Sequence, residues 1–275
     1  MSRVFLIYLT FFVFCSKITL YFYFGVFMEN KLPLSGNMLK ILAALFMTID
    51  HIGLLFFPHE SVFRIVGRLA FPIFAFMIAE GARYTKNRLK YFLQIFILGV
   101  ICQIVYYIAD GSLYMCILIT FSLSLLILFA LKEFKIALFE KERSGKRIAL
   151  TSFLLIGAVA LAYIACEYLE IDYGFGGVLC PVFASIFDFH GVAVPEKVRI
   201  LDRAWVRVLT LGLGVLIHAL TSSLKIQIYA LYAIILLMLY SGERGKYKMK
   251  YFFYLFYPLH LVLLYGLAVL VHILR

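Results

Sequence analysis

Acidic residues are scarce in this chain. Asp and Glu number 15 in 275 residues, against 26 Lys and Arg, and residues of either charge make up only 15% of the whole. So little charge, with 17% aromatics, excludes a disordered or low-complexity chain. Cysteine is sparse too: Cys15, Cys102, Cys116, Cys166 and Cys180 all fall in apolar stretches, with no CxxC pair and no His at zinc-ligand spacing. They read as small core residues, so neither a zinc site nor a disulfide framework is indicated. Long polar stretches are missing as well. The net charge of +11 would suit a nucleic-acid partner, but no segment between the apolar runs is long enough to form such a domain. What is abundant is apolar side chain, 64% of residues with a mean hydropathy of +0.99, more than a soluble core of this size can hide. Uncharged runs of this length suit spanning helices better than the shorter strands of a barrel. The expected fold is all-α, a polytopic membrane helix bundle.

Ten apolar segments can be read, over residues 3–27, 37–57, 64–80, 91–109, 113–131, 148–168, 174–187, 205–220, 225–240 and 251–273. Nine or ten of these are expected to span, one of them broken or re-entrant. The loops alternate in sign. Lys31 and Lys40 flank the start of the second segment; Arg83, Lys86, Arg88 and Lys90, residues 132–147, 197–207 and 244–250 follow the third, fifth, seventh and ninth. Basic loops of this kind stay in the cytoplasm. The opposite loops carry Asp110, then Glu167, Glu170 and Asp172, then Lys225 alone, and are expected to face outward. The first segment is interrupted by Lys17, and Met28 offers a second start before Glu29. Residues 1–27 are therefore read as an extra apolar segment or start-site extension, ahead of a single domain over 28–275.

An ionisable group inside a span costs roughly 2.5–3.5 kcal/mol on the insertion scale, so the few present are the functional candidates. Asp50 and His51 stand together deep in the second segment, where an Asp could orient the imidazole, although neighbours on a helix point about 100° apart. Lys40 lies 11 positions before His51. That spacing puts both on one helical face about 16 Å apart, within reach of a single groove. In the third segment only 11 uncharged residues separate Arg68 from Glu80, so at least one of the two is drawn into the membrane, and Pro72 is expected to break the helix nearby. The seventh segment is short and contains Gly174, Gly176, Gly177 and Pro181, which predicts a re-entrant or broken helix with Asp172 and Tyr173 at its outer mouth. In the tenth, Tyr257 and His260 share a face beside Pro258. His59, His190, His218 and His272 are read as incidental.

At these same residues the sequence resembles the TraX family. The likeness runs through SGNMLKILAALFMTIDHIG (residues 35–53), FRIVGRLAFPIFAFMIAEGARYTKN (63–87), DYGFGGVL (172–179) and KYFFYLFYPLHL (250–261), four separated blocks in the right order. The founding member of that family is a conjugative-plasmid protein associated with N-terminal acetylation of pilin. The family is similar in turn to a broad group of integral-membrane acyltransferases whose first core helix carries a basic residue and, 11 positions on, a His. Lys40 and His51 reproduce that spacing with Lys in place of the usual Arg, which weakens the case for bidentate phosphate binding at that position. The resemblance implies a multi-pass protein of the bacterial cytoplasmic (inner) membrane, with acetyl-CoA as acyl donor. No metal is expected, since no two His share a helical face at ligand spacing within one segment, and no nucleic-acid partner, since the loops are too short. The acceptor it implies is a peptide or protein N-terminus, a glycan or a small amine or alcohol, within or across the bilayer.

The mechanism expected on this reading uses His51 as general base, oriented by Asp50, with Arg68 stabilising the oxyanion and Tyr257 and His260 positioning the acceptor or relaying protons. Lys40, Glu80, Asp172 and Tyr173 are the candidate binding residues. Direct transfer and an acyl-His intermediate both remain open. The alternative from another class is a proton-coupled transporter or flippase using the same Asp and His groups.

Overall fold

The computed structural model describes residues 32–273. The segment over 3–27, Lys17 and Met28 lie outside the described residues. In chain order the elements are α1 (Gly36–Phe56), α2 (Ser61–Gly67), α3 (Ala70–Tyr84), α4 (Arg88–Asp110), α5 (Ile117–Phe139), α6 (Gly145–Tyr168), α7 (Gly174–Phe183), α8 (Glu196–Arg199), α9 (Ala204–Thr221), a 3-10 helix η1 (Lys225–Leu231), α10 (Tyr232–Met238) and α11 (Lys250–Ile273). Among the described residues there is no strand, only isolated bridges joining Leu34 to Tyr240 and Met115 to Ile171. Among the described residues seven spans are long and apolar enough to cross a membrane: α1, α2 with α3, α4, α5, α6, α9 and α11. The chain is a multi-pass, all-α membrane protein.

Local chemistry sets the ends. Ser35 caps α1 by accepting from the Met38 N–H, Asn87 caps α4 by accepting from Lys90, and Gly111, at φ 69°, closes α4 in the left-handed region that favours glycine. The helix break expected at Pro72 falls at Arg68 and Leu69, between α2 and α3. Pro72 has no N–H to donate to the carbonyl four residues back, and that carbonyl belongs to Arg68. The interruption therefore appears one turn upstream of the ring that causes it.

Two further segments are not continuous helices. The seventh is the ten-residue α7 with Pro181 inside it, as expected. The ninth, read as a continuous apolar run, is split into η1 and α10. The seventh stays in the bundle because small residues let neighbours approach. A methyl group at Gly177 would meet the Tyr173 side chain, and one at Gly214 would press on Phe183 at 2.9 Å. Ser124 donates to the Val178 carbonyl at 2.8 Å and fastens α5 to α7. Phe76, Phe121, Leu39, Ile73, Leu125 and Leu211 are the largest side chains sealed in this core. By contrast α6 leaves Leu150, Phe153, Leu154 and Ile156 exposed, as a lipid-facing helix should.

At the end carrying the basic loops, Arg83 pairs with Asp188 at 2.6 Å and with Asp202 at 2.5 Å, and Lys135 donates to the carbonyls of Ser185 and Asp188. These contacts tie the irregular chain between α7 and α9 to the ends of α3 and α5. They give Arg83 a structural task rather than a place among the loop charges.

Candidate active site

Two cavities of similar size bear on the candidate residues, one toward each end of the described bundle. The one at the acidic end encloses about 650 Å³ and is lined by Asp50, His51, Arg68, Tyr106, Asp172 and His218, among others. The one at the basic end encloses about 670 Å³, with Lys40, Glu80, Arg244, Lys250 and Tyr257 in its wall. Lys40 and His51 thus reach different cavities. The single groove expected from their shared helical face is replaced by two chambers, with Tyr257 and His260 between them.

His51 projects from α1 and His260 from α11, and their rings meet with centroids 5.1 Å apart. His51 Nδ1 lies 2.9 Å from the Met47 carbonyl and His260 Nδ1 lies 3.1 Å from that of Phe256, each four residues back on its own helix. A carbonyl only accepts, so both imidazoles are assigned a proton on Nδ1. His260 Nε2 is then a lone pair that accepts from His51 Nδ1 at 3.4 Å, and His51 Nε2 is a second one, accepting from Tyr106 Oη at 3.5 Å at the acidic-end cavity. Pro258 contributes by lacking the N–H that would bind the Tyr254 carbonyl, loosening α11 beside the pair. Tyr257 is buried at the basic-end cavity, with its ring 5.4 Å from that of His260.

Asp50 does not turn toward His51. Its carboxylate accepts from Arg64 Nη1 at 2.5 Å and from Arg68 Nη2 at 3.1 and 3.2 Å, so the orienting role expected for it is taken by the Met47 carbonyl. The 100° between successive residues sends Asp50 to α2 and His51 to α11. Gly67 makes the first contact possible, since a methyl group there would run into the Asp50 carboxylate. Arg68 is 5% exposed and also reaches Tyr173 Oη at 3.4 Å. Tyr173, at φ 60°, is the one residue other than glycine with a left-handed backbone among those described, and it stacks on Phe71 with centroids 4.0 Å apart. Asp172 accepts from Tyr114 Oη at 2.6 Å. Burial pushes the Asp172 carboxyl up to about 6, against the opposing hydrogen bond from Tyr114.

Glu80, counted among the candidate binding residues, has both carboxylate oxygens engaged within the protein. Arg207 holds one and Tyr240 Oη donates to the other at 2.9 Å. Several side chains at the site escaped the sequence reading. Arg64 lies one turn before Arg68 and completes the clamp on Asp50; the spacing of four was the available signal. Tyr106, Tyr114 and Gln227 carry no signal apart from their neighbours in space. His218, read as incidental, is buried in the wall of the acidic-end cavity, close to the rings of Tyr173 and Phe71. Its rarity as a histidine in an apolar segment was the clue.

The model of one protein family, described as TraX protein, matches residues 35–268. The chain belongs to the TraX family. The resemblance carried by the four sequence blocks is confirmed across nearly the whole described chain. Among curated proteins, the chain is 29% identical over 255 residues to a probable fimbrial assembly protein FimC, serogroup H1, of Dichelobacter nodosus, covering 86% of this chain and 97% of that protein. A second, uncharacterized protein of Rickettsia prowazekii (strain Madrid E) is 44% identical over 68 residues, 25% of either chain. No solved structure matches. The four blocks contribute to both cavities and to the histidine pair: the first supplies Lys40, Asp50 and His51, the second Arg64, Arg68 and Glu80, the third Asp172 and Tyr173, the fourth Tyr257 and His260.

Proposed function

We propose that this TraX-family protein is an integral-membrane acyltransferase that moves an acetyl group from acetyl-CoA, taken in at the basic, cytoplasmic end, to an acceptor in the acidic-end cavity. The observation that carries this reading is the histidine pair, with His51 Nε2, assigned as unprotonated, at one chamber and His260 packed against Tyr257 in the wall of the other. A thioester is already activated, so the minimum catalytic requirement is a base for the acceptor. An acceptor hydroxyl or amine gives its proton to His51 Nε2 as its oxygen or nitrogen bonds to the thioester carbon. The tetrahedral oxyanion forms near Tyr106 and the Arg68 end of the cavity, where buried donors are most effective. Collapse breaks the carbon–sulfur bond. The imidazolium of His51 returns the Nε2 proton to the departing thiolate, which restores the starting tautomer, while His260 Nε2 accepts from His51 Nδ1 and stabilises the charged ring.

A fimbrial-assembly name on a relative of nearly equal length suits an acceptor on an extracytoplasmic surface protein. The two-chamber layout suits transfer of an acyl group without passage of the donor's charged end through the bilayer. The experiment is incubation of purified protein with acetyl-labelled CoA, with and without membrane extract, following release of free thiol and of label into an acceptor fraction. Acceptor-dependent thiol release is expected. Labelled donor that stays intact in the presence of extract excludes the acyltransferase.

A further inference from the structure

The basic-end cavity contains three cations that have no carboxylate partner among the described residues. Lys40, Arg244 and Lys250 all line it, and none takes part in an ion pair among the described residues. Lys40 Nζ lies 5.9 Å from the centre of the Phe253 ring, and Lys250 Nζ donates to the neutral amide of Gln94 at 2.9 Å. Glu80 is the acidic residue in the same wall, and Arg207 neutralises it. Three like charges around one chamber repel one another unless an anion enters.

Arg244 is held in place by its backbone. The first N–H groups of α1 have no partners within their own helix, and those of Gly36 and Asn37 donate to the carbonyls of Glu243 at 2.8 Å and Arg244 at 2.9 Å. Asn37 Nδ2 adds a bond to the Tyr247 carbonyl at 2.6 Å. Gly245, at φ 99°, lets the loop lie close against Ser35, where a methyl group would come within 2.9 Å of the hydroxyl. The loop is thereby pinned over the mouth of the cavity with Arg244 exposed. Deeper in, the wall turns apolar through Phe74, Met77, Ile95, Leu98 and Phe121 and ends at Tyr257. The chamber is shaped for a ligand with a multiply anionic head and a long uncharged arm.

We infer that Arg244 and Lys250, together with Lys40, form a phosphate clamp that holds the head of a nucleotide-type thioester donor while its arm runs toward Tyr257 and His260. This assignment rests on the acyltransferase reading and names the residues that select the donor. It also explains how Lys can stand at position 40: a monodentate lysine is one of three cations on the phosphates rather than the sole anchor. An anionic lipid headgroup would offer the same phosphate chemistry, and the test separates the two sources.

The test compares acetyl-CoA with S-acetylpantetheine, which has the thioester arm and no phosphate. In the native protein the KM for S-acetylpantetheine should greatly exceed that for acetyl-CoA. In Arg244→Ala/Lys250→Ala that preference should fall about 100-fold, at about tenfold for each charge-assisted hydrogen bond removed, and Arg244→Lys should restore part of it. An unaltered preference in the double variant, or none in the native protein, overturns the clamp while leaving the acyltransferase standing. If neither thioester is consumed, the acyltransferase reading fails and direct titration of CoA decides the clamp alone. Binding about 100-fold weaker in the double variant supports it, and equal binding overturns it. Repeating the titration in micelles with phosphatidylglycerol distinguishes the source. Unchanged CoA affinity supports a nucleotide site, and displacement of CoA by the lipid overturns it.

Discussion

Replacing Asp50 with alanine should injure the fold more than the chemistry. Its carboxylate is the partner of Arg64 and Arg68, whose side chains are 28% and 6% exposed. Removing one member of a buried pair leaves an uncompensated charge and costs about 3–5 kcal/mol, whereas a partly exposed partner contributes about 0–1 kcal/mol. Nearly all of the loss should therefore come from Arg68. Converting that residue to methionine in the same chain removes the orphaned charge, so Asp50→Ala/Arg68→Met should be more stable than the sum of the single losses by about 2 kcal/mol. Asp50→Asn, which keeps an acceptor oxygen, should be milder than Asp50→Ala. Equilibrium unfolding of the native protein, the two single variants and the double variant in mixed detergent micelles measures the coupling. Strictly additive losses, or an Asp50→Ala protein as stable as the native one, would refute the view that Asp50 serves the arginine clamp.

Two further outcomes follow from charge and burial. Single cysteines at Lys86 and Glu170 should label from opposite faces of the membrane, and labelling of both from one face would overturn the orientation drawn from the loop charges. Asp172 is held near 6 by burial, above its ordinary 3.8. The folded protein therefore keeps a proton that the unfolded chain releases, so the contribution of Asp172 to stability should be greatest below about pH 4 and fall as pH rises through 6. Thermal melts across that range should show the slope, and Asp172→Asn should flatten it; a slope surviving the substitution would assign it to another group.

The long helices were legible because hydropathy and loop charge both report position relative to a bilayer, and each of the seven long spans coincides with an apolar run in the sequence. The broken α7 was also legible, since Gly174, Gly176, Gly177 and Pro181 are poor continuous-helix formers. The split between η1 and α10 was not, because residues 225–240 contain neither Gly nor Pro and only tertiary packing divides them. At the site, costly ionisable groups singled out His51, Arg68 and His260, and the structure brings His51 and His260 together. Partnership was harder to read. Adjacency in sequence suggested that Asp50 serves His51, but helical geometry turns neighbours apart and hands Asp50 to Arg64 and Arg68. Tyr106, Tyr114 and Gln227 blend into an apolar, aromatic-rich background until the fold converges them on one cavity.

The proposed mechanism depends above all on His51 Nε2 removing the acceptor proton during acyl transfer. Steady-state release of free thiol from acetyl-CoA by His51→Ala, in a preparation whose unfolding matches that of the native protein, tests this step. Loss of the base should lower kcat by about 10²–10⁴, with little change in the KM for acetyl-CoA because the donor's head is held at the other cavity. Native turnover by well-folded His51→Ala would contradict the mechanism.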